Sequence, residues 1–392
     1  MELKKIHISD IGKVVTGKTP RTSIVENYGG DIPFLTPSDD LSYKSVPKTG
    51  KTLTEQGLNE VKNCLLPPHS VCVSCIGSDL GKVVMTSEPT ITNQQFNSII
   101  PNRQFDADFV YYLMTLAGKE LNYLSKTSTA VPIINKSSFS NYEVEVPDLD
   151  TQEKIASILS SLDSKIELNR RINDNLEQQA QALFDYYFDD ESKYLENSTM
   201  GFLTDIAVYL NGLAMQKFPA TDIEQSLPVL KIRELGQRKC DDSSDRCSNT
   251  IDTDYVIDNG DIIFSWSGTL LVDVWCGGKC GLNQHLFKVS PLNNYPQWFV
   301  YYWTNRHLRK FKLIAKDKAV TMGHIRRSDL ENAEVKIPSK MNMQEINARI
   351  APLFQSIIKR RLESSKLEKV RDTLLPKLMS GELKMSEIEI EK

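Results

Sequence analysis

The chain has 392 residues, of which 40% are hydrophobic, 47 basic and 51 acidic, too many for one compact core and suited to two domains or a duplicated one. A net charge of −4 argues against a simple electrostatic binder of nucleic acid or membrane. No run approaches ~18 apolar residues, the start MELKKIHISD lacks an apolar signal core, and seven cysteines suggest free thiols, so a cytoplasmic location is expected.

Residues 1–150 mix short β-like runs with Gly, Pro and Asn breaks. Val71–Ile76 and Tyr142–Val146 read as strands, and Ala107–Leu124 as a Tyr-rich helix. Pro147 closes the region, and residues 151–190 read as one long helix. There Ile155, Leu159, Leu162, Ile166, Asn169, Asn173, Leu176, Ala180, Leu183 and Tyr187 keep the 4-3 spacing of a coiled-coil seam. Residues 196–342 repeat the plan, with strand-like Asp261–Trp266 and Ala333–Ile337, a helix over Gln297–Ala315, and Pro338 at the close. A second long helix over residues 343–382 places Ile346, Ile350, Leu353, Ile357, Arg360, Ser364, Leu367, Arg371, Leu374 and Leu378 in its seam, with Phe354 and Ile358 as a neighbouring stripe. A charged tail, 383–392, ends the chain. Both seams are polar in the middle, which weakens packing but fixes register and partner.

The chain is written twice. Ile8-Ser9-Asp10-Ile11 with Gly17 matches Leu203-Thr204-Asp205-Ile206 with Gly212, and Ile32-Pro33-Phe34-Leu35 matches Leu227-Pro228-Val229-Leu230. Val71–Ser74 with Gly77 meets Ile262–Ser265 with Gly268, and Asn93-Gln94 meets Asn283-Gln284. The run Ile134–Phe139, ending in Glu143-Val144 and Pro147, meets Ile325–Leu330, ending in Glu334-Val335 and Pro338. Each match is weak, but all fall in one order with a slowly drifting offset, as a tandem duplication requires.

This layout resembles the specificity subunit of type I restriction-modification systems. Gly17-Lys18-Thr19-Pro20 followed by Gly30–Pro37, the helix from Gln152-Glu153-Lys154-Ile155-Ala156 through Phe184, and Leu374-Leu375-Pro376 through Leu383 carry the resemblance. It implies an α+β fold: two pseudo-repeated, α/β-mixed target-recognition domains (1–150 and 196–342) separated by two long antiparallel coiled-coil helices. It implies that each domain reads half of a bipartite double-stranded DNA target, that the helices set the unread spacer, and that methyltransferase and restriction subunits are the partners. The second copy departs from the pattern, with Gly212-Leu213-Ala214-Met215 for the first motif and Lys231-Ile232 for Thr36-Pro37.

Base reading needs side chains able to make paired hydrogen bonds to base edges. Asn93, Gln94, Gln95, Asn283, Gln284 and His285 are suitable, as are Lys126, Lys136, Arg326 and Arg327. Lys18, Thr19, Thr36, Ser74, Gly77, Lys231, Arg233, Ser265 and Gly268 complete the candidate DNA contacts. Within Arg306–Arg327 lie eight basic residues, Lys316 and Lys318 among them, against the single acid Asp317. Such a stretch suits phosphates, or else forms a solvated helix face.

Other chemistry is suggested and outweighed. Gly12–Thr19 spells a phosphate loop, but Pro20 comes next and Arg21–Asp31 has no helical periodicity, while the duplicate keeps neither lysine nor first glycine. Asp329 with Glu334-Val335-Lys336 has a nuclease-like shape, yet Glu334 and Lys336 alternate like the wet side of a strand. The cysteines lack ordinary zinc spacing, so no metal, cofactor or catalytic residue is expected. Tyr111-Tyr112 and Tyr301-Tyr302-Trp303 read as core rather than base-stacking platforms. Two alternatives to DNA reading remain: a coiled-coil protein scaffold, and a nucleotide binder using Lys18.

Overall fold

The duplication is visible in the main sheets of the computed structural model, which describes residues 2–125, 133–189, 191–223, 225–317 and 325–383, the last three of the 225–317 stretch by backbone alone. The chain forms two compact units, Met1–Glu167 with Leu367–Lys392, and Leu168–Lys366. This division differs from a linear domain order, because each unit takes a piece of both long helices.

In the first unit Lys4–His7 pairs antiparallel with Glu143–Val146. A four-stranded sheet runs in the order Gly12–Thr16, Phe96–Pro101, Val71–Ser74, Val83–Met85, and a short parallel pair joins Tyr28–Leu35 to Ile91–Thr92. The second unit repeats each step. Thr199–Phe202 pairs with Glu334–Ile337, and the sheet runs Ala207–Asn211, Leu286–Pro291, Ile262–Ser265, Leu271–Val274. Ser226–Leu230 lies parallel to Cys280–Leu282. The central strands are buried on both faces, as the pleat allows. Val71 and Val73 serve the core under the helix Ala107–Ser125, while Cys72 serves another. Likewise Ile262 and Phe264 share a core with the helix Gln297–Asp317, and Ile263 faces a separate cluster.

Each long helix begins on the same device. Asp148, directly after Pro147, accepts the Thr151 amide at 2.9 Å and opens Leu149–Tyr187. Ser339, directly after Pro338, accepts the Asn342 amide at 3.3 Å and opens Lys340–Ser380. Side-chain caps of this kind satisfy amides that lack a helical partner. Gly381, at φ 74°, ends the second helix in the left-handed conformation that glycine adopts freely.

Within each unit the helix segments run antiparallel. Arg371 meets Asp163 at 2.8 Å in the first unit. In the second, Asn169 donates to Glu363 at 3.0 Å and accepts from Arg360 at 3.2 Å, and Asn173 donates to the Ile357 carbonyl at 3.4 Å. The polar middle of the seam therefore has specific partners, which is how such positions fix register.

The buried stripe includes most of the predicted seam, Asn169, Asn173, Ala180, Tyr187 and Ile346 among it, but is wider than the heptads predict. Leu162, Leu176, Leu183, Leu353, Leu367 and Leu374 are only half-buried, while Asp163, Phe184, Phe354 and Ile358 are buried beside Ile155, Leu159, Ile166, Ile350, Ile357 and Leu378. Each helix packs against a sheet-bearing domain as well as its partner helix, so its covered face is wider than a two-helix seam. Phe184 shows why: its ring lies 4.7 Å from Phe188, 5.3 Å from Tyr302 and 5.6 Å from Trp303. Phe184→Ala is expected to cost about 3–5 kcal/mol through lost burial and the cavity left behind. Hydrogen exchange is the check: protection should fall across residues 168–366 and persist in the other unit, and equal loss in both would show that they open together.

Candidate nucleic-acid interface

Six hydrogen bonds tie the strand ends of the first recognition domain into one knot of loops. Gly17 donates to the Phe96 carbonyl at 3.1 Å and Lys18 to that of Thr92 at 2.9 Å, while the Asn93 amide reaches Leu35 at 3.0 Å. The Asn93 side-chain oxygen accepts the Gln95 amide at 3.0 Å. Cys75 donates to Gln95 at 2.7 Å, and Ile134 to Cys75 at 2.9 Å. All six recur in the second domain. Gly212 bonds Leu286, Leu213 bonds Leu282, Asn283 bonds Leu230, His285 bonds the Asn283 side chain, Trp266 bonds His285, and Ile325 bonds Trp266, at 3.0–3.3 Å.

The close approach at the first strand end explains a repeated glycine. A Cβ on Gly17 would stand 2.1 Å from the Asn93 carbonyl oxygen, and one on Gly212 would stand 2.2 Å from that of Asn283. Gly77 and Gly268 turn the next loop at φ 87° and 63°.

The side chains that the knots display differ between copies. In the first, Lys18 and Gln94 are exposed, and the Thr19 hydroxyl donates to Gln94 at 2.6 Å. Asn93 also donates to Gln95 Oε1 at 2.8 Å, orienting that amide. In the second, Leu213 replaces Lys18, and Ser267 bonds the His285 ring at 3.0 Å. Exposed Lys136 lies in the short helix Lys136–Ser140, and exposed Arg326 and Arg327 stand at the matching place in the second copy.

Several expected contacts have other work. Ser74 and Ser265 are fully buried, so they line the knot from inside, and Asn93, Asn283 and Thr36 are nearly so. Alternation placed the two serines on a strand but not which face was covered. Lys231 is paired with Asp245, and Arg233 with Glu234 at 2.6 Å. Arg306 of the basic stretch donates to the Phe188 carbonyl at 3.0 Å and covers the Trp303 ring, so it packs the helix end. Lys126, Lys318 and the side chain of Lys316 lie outside the described residues. The phosphate-loop look-alike Gly12–Thr19 begins as a strand, Gly12–Thr16, paired along its length with Phe96–Pro101, and no helix follows Thr19 as a phosphate loop requires. Tyr112 and Tyr302 are core residues, as their helical spacing predicts.

The family profile of the type I restriction modification DNA specificity domain matches residues 1–178 and again 196–369, the two copies in turn. The chain belongs to that family. It is a type I specificity subunit, and its work is recognition of DNA sequence. The MjaIX type I restriction enzyme specificity subunit of Methanocaldococcus jannaschii is 29% identical over 413 residues, covering 99% of this specificity subunit and 94% of that one. The HindI specificity subunit of Haemophilus influenzae is 36% identical over 174 residues, 43% of this chain and 38% of the other. The crystal structure of a type I S subunit from M. genitalium shares the fold, with a TM-score of 0.58 at 15% identity over 96% of both chains.

Sequence reasoning missed residues of the polar networks between the sheet domains and the helices, notably Lys44, Asp163 and Arg238. Asp163 left one signal: an acid one step from a predicted apolar seam position.

Proposed function

We propose that this specificity subunit reads an asymmetric, bipartite DNA target in the cytoplasm, without chemistry of its own, and brings adenine-methyltransferase and restriction subunits to it. The six-bond knot, built twice with different exposed side chains, carries the reading. One scaffold repeated implies one way of meeting DNA, and unlike displays imply unlike half-sites. In this reading Lys18, Lys136, Arg326 and Arg327 meet phosphates, while Thr19, Gln94, Gln95, Gln284 and His285 approach base edges. The long helices set the unread spacer, since two readers on fixed supports demand one half-site separation.

Lys18→Ala with Lys136→Ala tests the phosphate role. Affinity for all duplexes should fall alike, and the slope of log affinity against log salt should shrink by about 0.9 for each lost contact. An unchanged slope would return both lysines to a solvated surface. A wild-type slope near zero would favour a protein-binding scaffold. Sequencing of sites methylated in cells that co-express the methyltransferase subunit gives the two half-sites directly.

A further inference from the structure

In both units a cation from the segment after the parallel strand enters a polar network that reaches the paired helices, directly in the first unit and through a shared aspartate in the second. In the first unit the loop 36–50 is clamped by Asp39, which accepts the amides of Thr36 at 2.7 Å and Gly50 at 2.6 Å. Lys44 leaves this loop and reaches Ser160 of the first long helix at 3.1 Å, the Tyr112 hydroxyl at 3.3 Å and Asp108 at 2.6 Å. Tyr112 in turn donates to Asp163 at 2.5 Å, whose other oxygen takes Arg371 of the second helix at 2.8 Å.

The second unit has the same plan in different residues. Glu234, 1% exposed, clamps the loop that begins at Lys231 by accepting the Lys231 amide at 3.2 Å and the Ser244 hydroxyl at 3.2 Å. Arg238, left-handed at φ 58° where it caps the short helix Ile232–Gln237, donates to Asp273 of the strand Leu271–Val274 at 2.7 Å. Asp273 also takes Arg361 of the second long helix at 2.6 Å, and Arg361 reaches on to Glu177 of the first at 2.7 Å. The Asp273 side chain is 4% exposed and that of Arg361 11%. Burial opposes the Arg361 charge, but its two carboxylate partners outweigh burial and raise its pKa.

We propose that Lys44 and Arg238 are positioning residues, each bracing its recognition domain so that the domain keeps one angle to the paired helices and a half-site is accepted at one spacing only. This rests on the reading of the chain as a bipartite DNA reader. A domain braced against a rigid support through such a network keeps one angle to it. Loosening the tie leaves the bases read unchanged and widens the separations tolerated. That both copies place a cation in a polar network reaching the helices, with different side chains, argues for a requirement of geometry, since bulk stability at each site could be met by apolar packing.

The test uses the full chain co-expressed with its methyltransferase subunit and a plasmid library carrying the two half-sites at the native spacing and at one base pair more or fewer. Lys44→Met and Arg238→Met keep most of the stem and remove the charge. Each is expected to lower the ratio of methylation at the native spacing to methylation at the altered ones by about tenfold, with half-site sequences intact. Arg238→Lys, which keeps the charge, should recover part of that ratio. A uniform loss of folded protein or affinity moves every site together and leaves the ratio alone. A sharp wild-type spacing preference that both Met variants retain overturns this inference and spares the functional reading. A wild-type chain with no spacing preference overturns both.

Discussion

Inserting four residues between Glu167 and Leu168 and four between Lys366 and Leu367 is expected to lengthen the unread spacer by roughly one or two base pairs, with both half-site sequences unchanged. The structure sets these positions, because the two compact units divide both long helices there. Asp163–Arg371 lies on one side of the cuts, and Asn169–Glu363 and Arg361–Glu177 on the other, so no pairing within a unit is disturbed. Each insertion adds ~6 Å of helix and rotates the downstream helix by ~40°, a stutter that a coiled coil absorbs by local unwinding. A duplex advances ~3.4 Å per base pair, which sets the size of the change. Methylation mapping reads the result. An unchanged spacer in a folded insertion variant would mean that the helices do not set the distance.

Exchanging residues 2–148 for the matching stretch of a relative is expected to replace one half-site entirely and leave the other half and the spacing as they were. Readout at well-separated positions is close to additive, so each domain should carry its own specificity. The graft has one structural condition. Lys44 and Tyr112 lie inside the exchanged stretch, while their partners Ser160 and Asp163 lie outside it. A donor without a hydroxyl at the Tyr112 position leaves one buried oxygen of Asp163 unmatched, which costs about 1–3 kcal/mol. Such grafts should recover stability when the tyrosine is restored, and specificity should track the donor in both versions. A change in both half-sites at once would end the two-module reading.

Much of the architecture was legible because duplication multiplies weak signals. Strands over Val71–Ser74 and Ile262–Ser265, and helices over Ala107–Ser125 and Gln297–Asp317, fall where run length and turn residues predict them. The seam was legible, but the buried face is wider than the seam. Heptads report which residues meet a partner helix, whereas Phe184 is buried by a recognition domain whose position the helix sequence does not contain, and Asp163 meets such a domain through Tyr112 as well as the partner helix through Arg371. The loop knots were half legible. Repetition singled out Gly17, Asn93 and their counterparts, and most proved to be the braces that hold the loops together. Base-reading groups and bracing groups share a chemistry, because Asn, Ser and Thr satisfy backbone amides as readily as they meet base edges. The ties through Lys44 and Arg238 left no trace in the repeat, since the two copies solve the same problem with different residues.

The first unit is assembled from chain segments separated by the whole of the second. Its core combines Ile155 and Leu159 with Leu375, Leu378 and Met379, and Asp163 waits for Arg371. On the ribosome the first recognition domain therefore emerges with this part of its surface uncovered, and it stays so until the last helix is made. At roughly 5–20 residues per second the interval is about 10–40 s. During that time a buried-type aspartate and an apolar helix face stand open to chaperones, proteases and other nascent copies. A message truncated before the codon for Leu375 yields a chain that cannot close its own first half, however complete that half looks in sequence. Arrested nascent chains of increasing length should show protease resistance arriving late for residues 2–167, after that of the segment made later.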